Sequence, residues 1–168
     1  MNRRAAILIP LALMFALAAC EPEEKVEESS AEFESWLEKQ GLTPLNEAQA
    51  TALFSGKTLR GRYENMGNGT PGRWIEFYSS GGVSVFQPTA EQSPKRRLVY
   101  FGTWWSESDR TCFSYPERKF DCYRVYQDSE WIYFIRTLDH PGRPAGSLAV
   151  AADRIEEGNT ENYPHVTN

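Results

Sequence analysis

Aromatic residues crowd both alternating positions of short β-type runs, and that pattern limits what the chain can become. Of 22 aromatic residues, 16 fall between Trp74 and Phe134. In the run 97–105, Tyr100 and Trp104 occupy one alternating set, Phe101 and Trp105 the other. Trp131 and Tyr133 stand against Phe134 in the same way. Side chains alternate faces along a strand, so such a sheet is apolar on both sides. It must be covered on both, by closing into a barrel, by a second sheet or by helices.

The runs 58–63, 74–78, 82–86, 97–105, 110–115, 121–127, 131–136 and 147–152 are β-branched and aromatic and read as strands. Short Gly-, Asn-, Ser- and Pro-rich turns separate most of them, too short for crossover helices. The expected fold is mainly β: an antiparallel meander of seven or eight strands, as an open barrel or curved sheet. One or two short helices precede it. Ser29 and Glu32 have capping-box spacing, Phe33, Trp36 and Leu37 share a face, and Gly41 stops the helix. Asn46 and Gln49 repeat the box, with Leu45 and Ala50 as a staple. Ala50, Leu53 and Phe54 form the apolar face before Gly56.

The first twenty residues are read as targeting rather than fold. Arg3 and Arg4 precede a fifteen-residue apolar run, 5–19. As a helix that run reaches about 22 Å, short of the roughly 30 Å hydrocarbon core, so a cleaved signal is expected. It ends in Leu17-Ala18-Ala19-Cys20, which resembles a bacterial lipobox. That resemblance implies that Cys20 carries lipid as the first mature residue. Glu21 follows where enteric inner-membrane retention uses Asp, which favours the outer membrane. The acidic stretch 20–30 reads as a tether, 31–155 as one β-rich domain, and 156–168 as a polar tail expected to fray.

Two cysteines remain, Cys112 and Cys122. In an oxidising compartment an even remainder reads as one disulfide. A hairpin centred near Glu117 sets the pair opposite each other, within reach of bonding geometry. A reduced buried pair and a redox pair are the alternatives. No CxxC or neighbouring His points to metal, and none is expected.

Chemistry is sparse. The net charge of -5 argues against a nucleic-acid footprint. No G-x-S-x-G, HExxH, P-loop or dinucleotide fingerprint is present, so no cofactor and no enzyme are expected. His140 alone would have to serve as base. The candidate binding face is Trp74, Glu76, Tyr78, Trp104 and Trp105. Trp and Tyr flanking a carboxylate suit a sugar or a cation. The plainer expectation is an outward face with Glu76 solvated or paired with Arg. Basic residues at 95–97, at 118–119, and at Arg60 and Arg62 suit lipid head groups or guard strand edges. The expected function is a non-catalytic, lipid-anchored envelope module facing the periplasm, meeting a protein partner or a small apolar ligand. The alternatives are a lipocalin-like carrier or, less favoured, a carboxylate hydrolase using Glu76.

The stretch Leu53-Phe54-Ser55-Gly56-Lys57-Thr58-Leu59-Arg60-Gly61 resembles a group of small, exported, uncharacterised proteobacterial domains. Gly102-Thr103-Trp104, Cys112 and Cys122 with Tyr123-Arg124-Val125 extend the likeness over about residues 50 to 136. Lys57 stands where Asn is common there, and Trp105 where a polar residue is common. The resemblance implies a strand-rich fold with a two-Cys hairpin and no catalytic residues.

Overall fold

The computed structural model describes residues 28, 30–63, 71–90, 98–116, 120–164 and 166, and for Ala90 the backbone only. The segments expected to be signal, lipidated Cys20 and most of the tether lie outside these residues, as do the basic runs 95–97 and 118–119.

Two helices, α1 (Phe33–Lys39) and α2 (Glu47–Phe54), lead into eight strands. These are β1 (Lys57–Tyr63), β2 (Gly72–Tyr78), β3 (Val83–Ala90), β4 (Tyr100–Glu107), β5 (Arg110–Ser114), β6 (Asp121–Gln127), β7 (Ile132–Arg136) and β8 (Leu148–Glu157). Each pairs antiparallel with the next, and β8 returns to β1, closing a barrel. The meander is therefore neither open nor merely curved. Closure meets the demand set by two apolar faces: one set fills the lumen, and the other is covered where helix or tail crosses it.

Asn46 and Gln49 make the expected capping box, each side chain accepting from the other's backbone N–H at 3.0 Å. Ala50 and Phe54 are buried. Gly56 takes φ +74, which a β-carbon disfavours, and turns the chain into β1. Phe54 is the last residue of α2. It packs against Tyr78, Trp104 and Phe134 at ring-centroid distances of 5.0, 6.1 and 5.7 Å. It stoppers the end of the barrel at which β1 begins.

α1 covers the outside of β6 and β7, where Phe33 and Leu37 bury against Tyr126 and Ile135. Its cap differs from expectation. Glu32 is the N-cap and makes no side-chain cap, while Ser30 Oγ accepts from the Glu32 N–H at 3.1 Å; Ser29 is outside the described residues. Glu34 compensates by accepting from Arg124 at 2.6 Å and from the Tyr126 hydroxyl at 2.8 Å.

Cys112 and Cys122 form a disulfide between directly paired positions of β5 and β6, with Cα atoms 4.0 Å apart. It lies on the outer face, because Thr111 and Phe113 take the lumen side.

The expected frayed tail is corrected. β8 runs on to Glu157, since pairing with Lys57–Arg60 is what closes the barrel. Arg60, read as suited to lipid head groups or to guarding a strand edge, joins the two segments by ion pairs to Glu156 at 2.8 Å and Glu161 at 2.6 Å. Beyond it, Tyr163 is only 7% exposed, packed on Phe77 and Val85. The outer faces of β2 and β3 are apolar there and need cover; Asn159 braces the turn through two hydrogen bonds to Tyr163 backbone atoms, both 3.0 Å.

Candidate functional site

The lumen is built in two halves. Toward α2 it is filled by rings, with Tyr78 against Trp104 and Phe113 at centroid distances of 5.7 and 5.9 Å. The Trp104 indole N–H is tied to the Ser79 carbonyl at 3.0 Å. Toward the other end the filling stops short, and a cavity of about 110 Å³ remains. Trp74, Glu76, Phe86, Tyr115, Tyr123 and Val150 are among its walls.

Two glycines shape this space. A β-carbon on Gly61 would meet Trp74 Cε2 at 2.7 Å and Ala152 Cα at 2.8 Å. One on Gly102 would meet the Tyr115 ring at 2.6 and 2.8 Å. Each glycine lets a large ring lie flat over its own strand. Both belong to the short motifs quoted for the resemblance, which gives those motifs a packing reason.

Trp74, Glu76 and Tyr78 do share one strand face, but it points inward. The outward, solvated reading of this trio is corrected: Glu76 is 7% exposed. The Tyr115 hydroxyl donates to Glu76 Oε1. Burial pushes the Tyr115 and Tyr78 hydroxyls well up, and the Glu76 charge adds to it, so both stay protonated donors. The five-residue candidate face is not one face. Trp104 is in the lumen, while Trp105 lies outside, stacked on Phe120 at 5.2 Å. The cause is strand alternation between neighbouring residues.

Trp74 lines the cavity with an unmet need. Its Nε1–H is buried and has no hydrogen-bond partner among the described residues.

Beside the mouth lies a second cleft of about 110 Å³, which shares Val150 with the lumen cavity. Arg62, Arg136, Arg143 and Glu28 line it. Arg136 projects from the end of β7 and pairs in register with Tyr123, itself a wall of the lumen cavity. Asp121 also lines the lumen cavity and lies 3.5 Å from His140. Sequence reading missed Arg136, Arg143, Tyr115 and Tyr123. Alternation alone places Arg136 with Phe134 on the lumen side; the register that brings it to the mouth is not visible in one strand.

On the outside, Phe101 and Phe120 are 46% and 49% exposed on the β4–β6 side of the barrel. Glu107 lies near the two cysteine sulfurs, but those sulfurs are bonded to each other and are not thiolate ligands.

Fold and site together define an eight-stranded, up-and-down antiparallel barrel, stoppered by a helix at one end and, among the described residues, hollow at the other. Family models, curated proteins and solved structures give no match to the chain.

Proposed function

We propose that the chain is a non-catalytic binding module of the cell envelope. It is held at the outer membrane, facing the periplasm, by lipid on Cys20, and it takes a small ligand through the open end of its barrel. The cavity carries this reading. It combines ring-lined walls with a few convergent polar groups, the pattern of a small-molecule site. Its volume of about 110 Å³ decides the size. An apolar cavity of about 150 Å³ holds one benzene, and drug-sized pockets begin near 300 Å³. The lumen therefore takes one ring or a similarly small group, and the rest of a larger ligand stays at the mouth. A carrier in the lipocalin manner would hold only part of its cargo inside.

The lipobox and the resemblance to exported domains support the envelope placement. The disulfide is consistent with it, since such bonds persist in oxidising compartments. A second reading has its own observation. Phe101 on β4 and the Trp105–Phe120 stack lie on the outer wall where neither α1 nor the described tail packs on them, which suits a protein partner. The less favoured hydrolase would have to use Glu76 and Asp121, both at the cavity.

Native mass spectrometry of the full chain, purified from the envelope of its host, tests the reading. An added small mass that leaves on unfolding is expected. A chain bare of ligand under gentle extraction would move the function to the β4–β6 face. Metabolic labelling with a palmitate analogue tests the anchor: label that persists in Cys20→Ser would refute it.

A further inference from the structure

The cleft beside the mouth holds more positive charge than the described residues neutralise. Of its three guanidinium groups, Arg62 is engaged on the outer wall, 4.5 Å from the Trp131 ring centroid. Arg136 donates to Ser147 Oγ at 3.3 Å and to the Leu148 carbonyl, both uncharged acceptors. The Arg143 side chain makes no hydrogen bond or ion pair to any described residue, and neither does Arg136 reach a carboxylate.

The surrounding charges are mixed. Burial holds the Arg136 guanidinium below its usual range; Tyr123 and Asp121 oppose this, and Arg143 adds to it. Asp121 is shared with His140 at 3.5 Å, and Glu28 is the acidic wall of the cleft. A half-buried charge is normally paired or supplied with charged hydrogen-bond partners. Two guanidiniums with neutral or no partners among the described residues, lining one cleft of about 110 Å³, offer charged donors to an oxyanion.

We infer that the Arg136–Arg143 cleft receives the acidic head, a phosphate monoester or a carboxylate, of a small ligand whose ring enters the lumen. The inference rests on the reading of the lumen as a ligand chamber. Val150 borders both spaces, and Tyr123 of the lumen is the register partner of Arg136. A ligand with a ring next to its acid suits two spaces that share Val150 as a wall. The Trp74 indole N–H offers a donor deeper inside, suited to an acceptor carried on the ring.

The full chain is titrated with phenyl phosphate, benzoate and phenol, reading tryptophan fluorescence and the Trp74 indole N–H resonance. At least one acid is expected to bind about tenfold or more tightly than phenol, as charge-assisted hydrogen bonds give. The tighter acid names the head as phosphate or carboxylate. Arg143→Gln removes a side chain that holds nothing in the fold, and it should weaken that acid about tenfold more than it weakens phenol. Arg143→Lys, which keeps the charge, should retain most of the affinity. If phenol binds as tightly as both acids and Arg143→Gln treats all three alike, the anion cleft is overturned and the chamber stands. If none of the three moves the Trp74 resonance, the chamber reading fails and the inference with it.

Discussion

Gly61→Ala tests the seam that makes this chain a barrel. Gly61 sits in β1 opposite Ala152 of β8, just past a register shift between Arg60 and Gly61. A β-carbon there would lie 2.8 Å from Ala152 Cα and 2.7 Å from Trp74 Cε2, with the Ala151 carbonyl oxygen closer still. Two of these three obstacles are backbone atoms of β8, which yield only if the whole strand moves. Overpacking a filled core costs about 1–3 kcal/mol, and the rigid obstacles place this case near the top, at about 3 kcal/mol. At roughly 2–4 °C per kcal/mol, Tm should fall by roughly 6–12 °C in calorimetry or near-UV circular dichroism. Gly41→Ala is the reference. Its β-carbon meets nothing within 4 Å, and only its φ of +82 opposes the change, at about 1–2 kcal/mol. Adding Trp74→Phe to Gly61→Ala relieves the ring but not the backbone, so stability should not return. A Gly61→Ala protein melting within about 2 °C of the parent would mean that β1 and β8 do not meet there, and the closed barrel would be wrong.

Gly102→Ala should also destabilise, by about 2–3 kcal/mol in urea unfolding, and in addition displace the Tyr115 ring from the cavity. An unchanged midpoint would refute the contact. Reducing the Cys112–Cys122 bond should remove about 3 kcal/mol on the loop-entropy account, read as a Tm drop with dithiothreitol that the double Ser variant no longer shows. Burial alone would raise the Asp128 carboxyl, but the N–H groups of Glu130 and Trp131 and the Tyr133 hydroxyl outweigh it and hold it below its usual value. A depressed carboxylate stabilises above its unfolded pKa and loses that contribution as pH falls through the folded one. Asp128→Asn should therefore cost about 1 kcal/mol at pH 7, with the gap to the parent closing below about pH 4. A gap that persisted at acid pH would exclude the charge as its origin.

Much of the fold is legible because the strand signal is dense and local. Runs such as 121–127 are recovered with the same bounds in β6. The disulfide is legible from compartment and spacing together. β8 is half hidden, because the strand signal stops at residue 152 and Glu156 and Glu157 read as the start of a polar tail. Nothing in those letters shows that Arg60, nearly a hundred residues away, supplies the counter-charge for Glu156. The site is legible only in part. Alternation puts Trp74, Glu76 and Tyr78 on one face but does not say which face is inside. For a strand apolar on both sides that sign is set by closure, a property of all eight strands. Arg143 is hidden for a different reason. It lies in a Pro/Gly loop, where spacing carries no geometric information until the register of β7 with β8 is fixed.

The distribution of polar cost along the lumen separates structure from function. At the stoppered end, the Trp104 N–H finds the Ser79 carbonyl and Phe54 fills the remaining space. That half is filled by packed rings. At the open end, the same barrel buries the Glu76 carboxylate beside the Tyr115 hydroxyl, leaves the Trp74 N–H without a partner among the described residues, and gathers on its rim the guanidiniums of Arg136 and Arg143, which no described carboxylate meets. The Trp74 N–H opposes folding, since an unmet buried polar group costs about 1–3 kcal/mol. Apolar replacements of similar volume would be more stable at most such positions. A chain that fills one end with rings and leaves a cavity beside the Trp74 N–H at the other has that cost where a ligand can relieve it. Locally unfavourable choices gather at functional sites in this way. The expected signature is ligand-linked stability: occupancy of the mouth should raise Tm in proportion to the logarithm of ligand concentration above Kd.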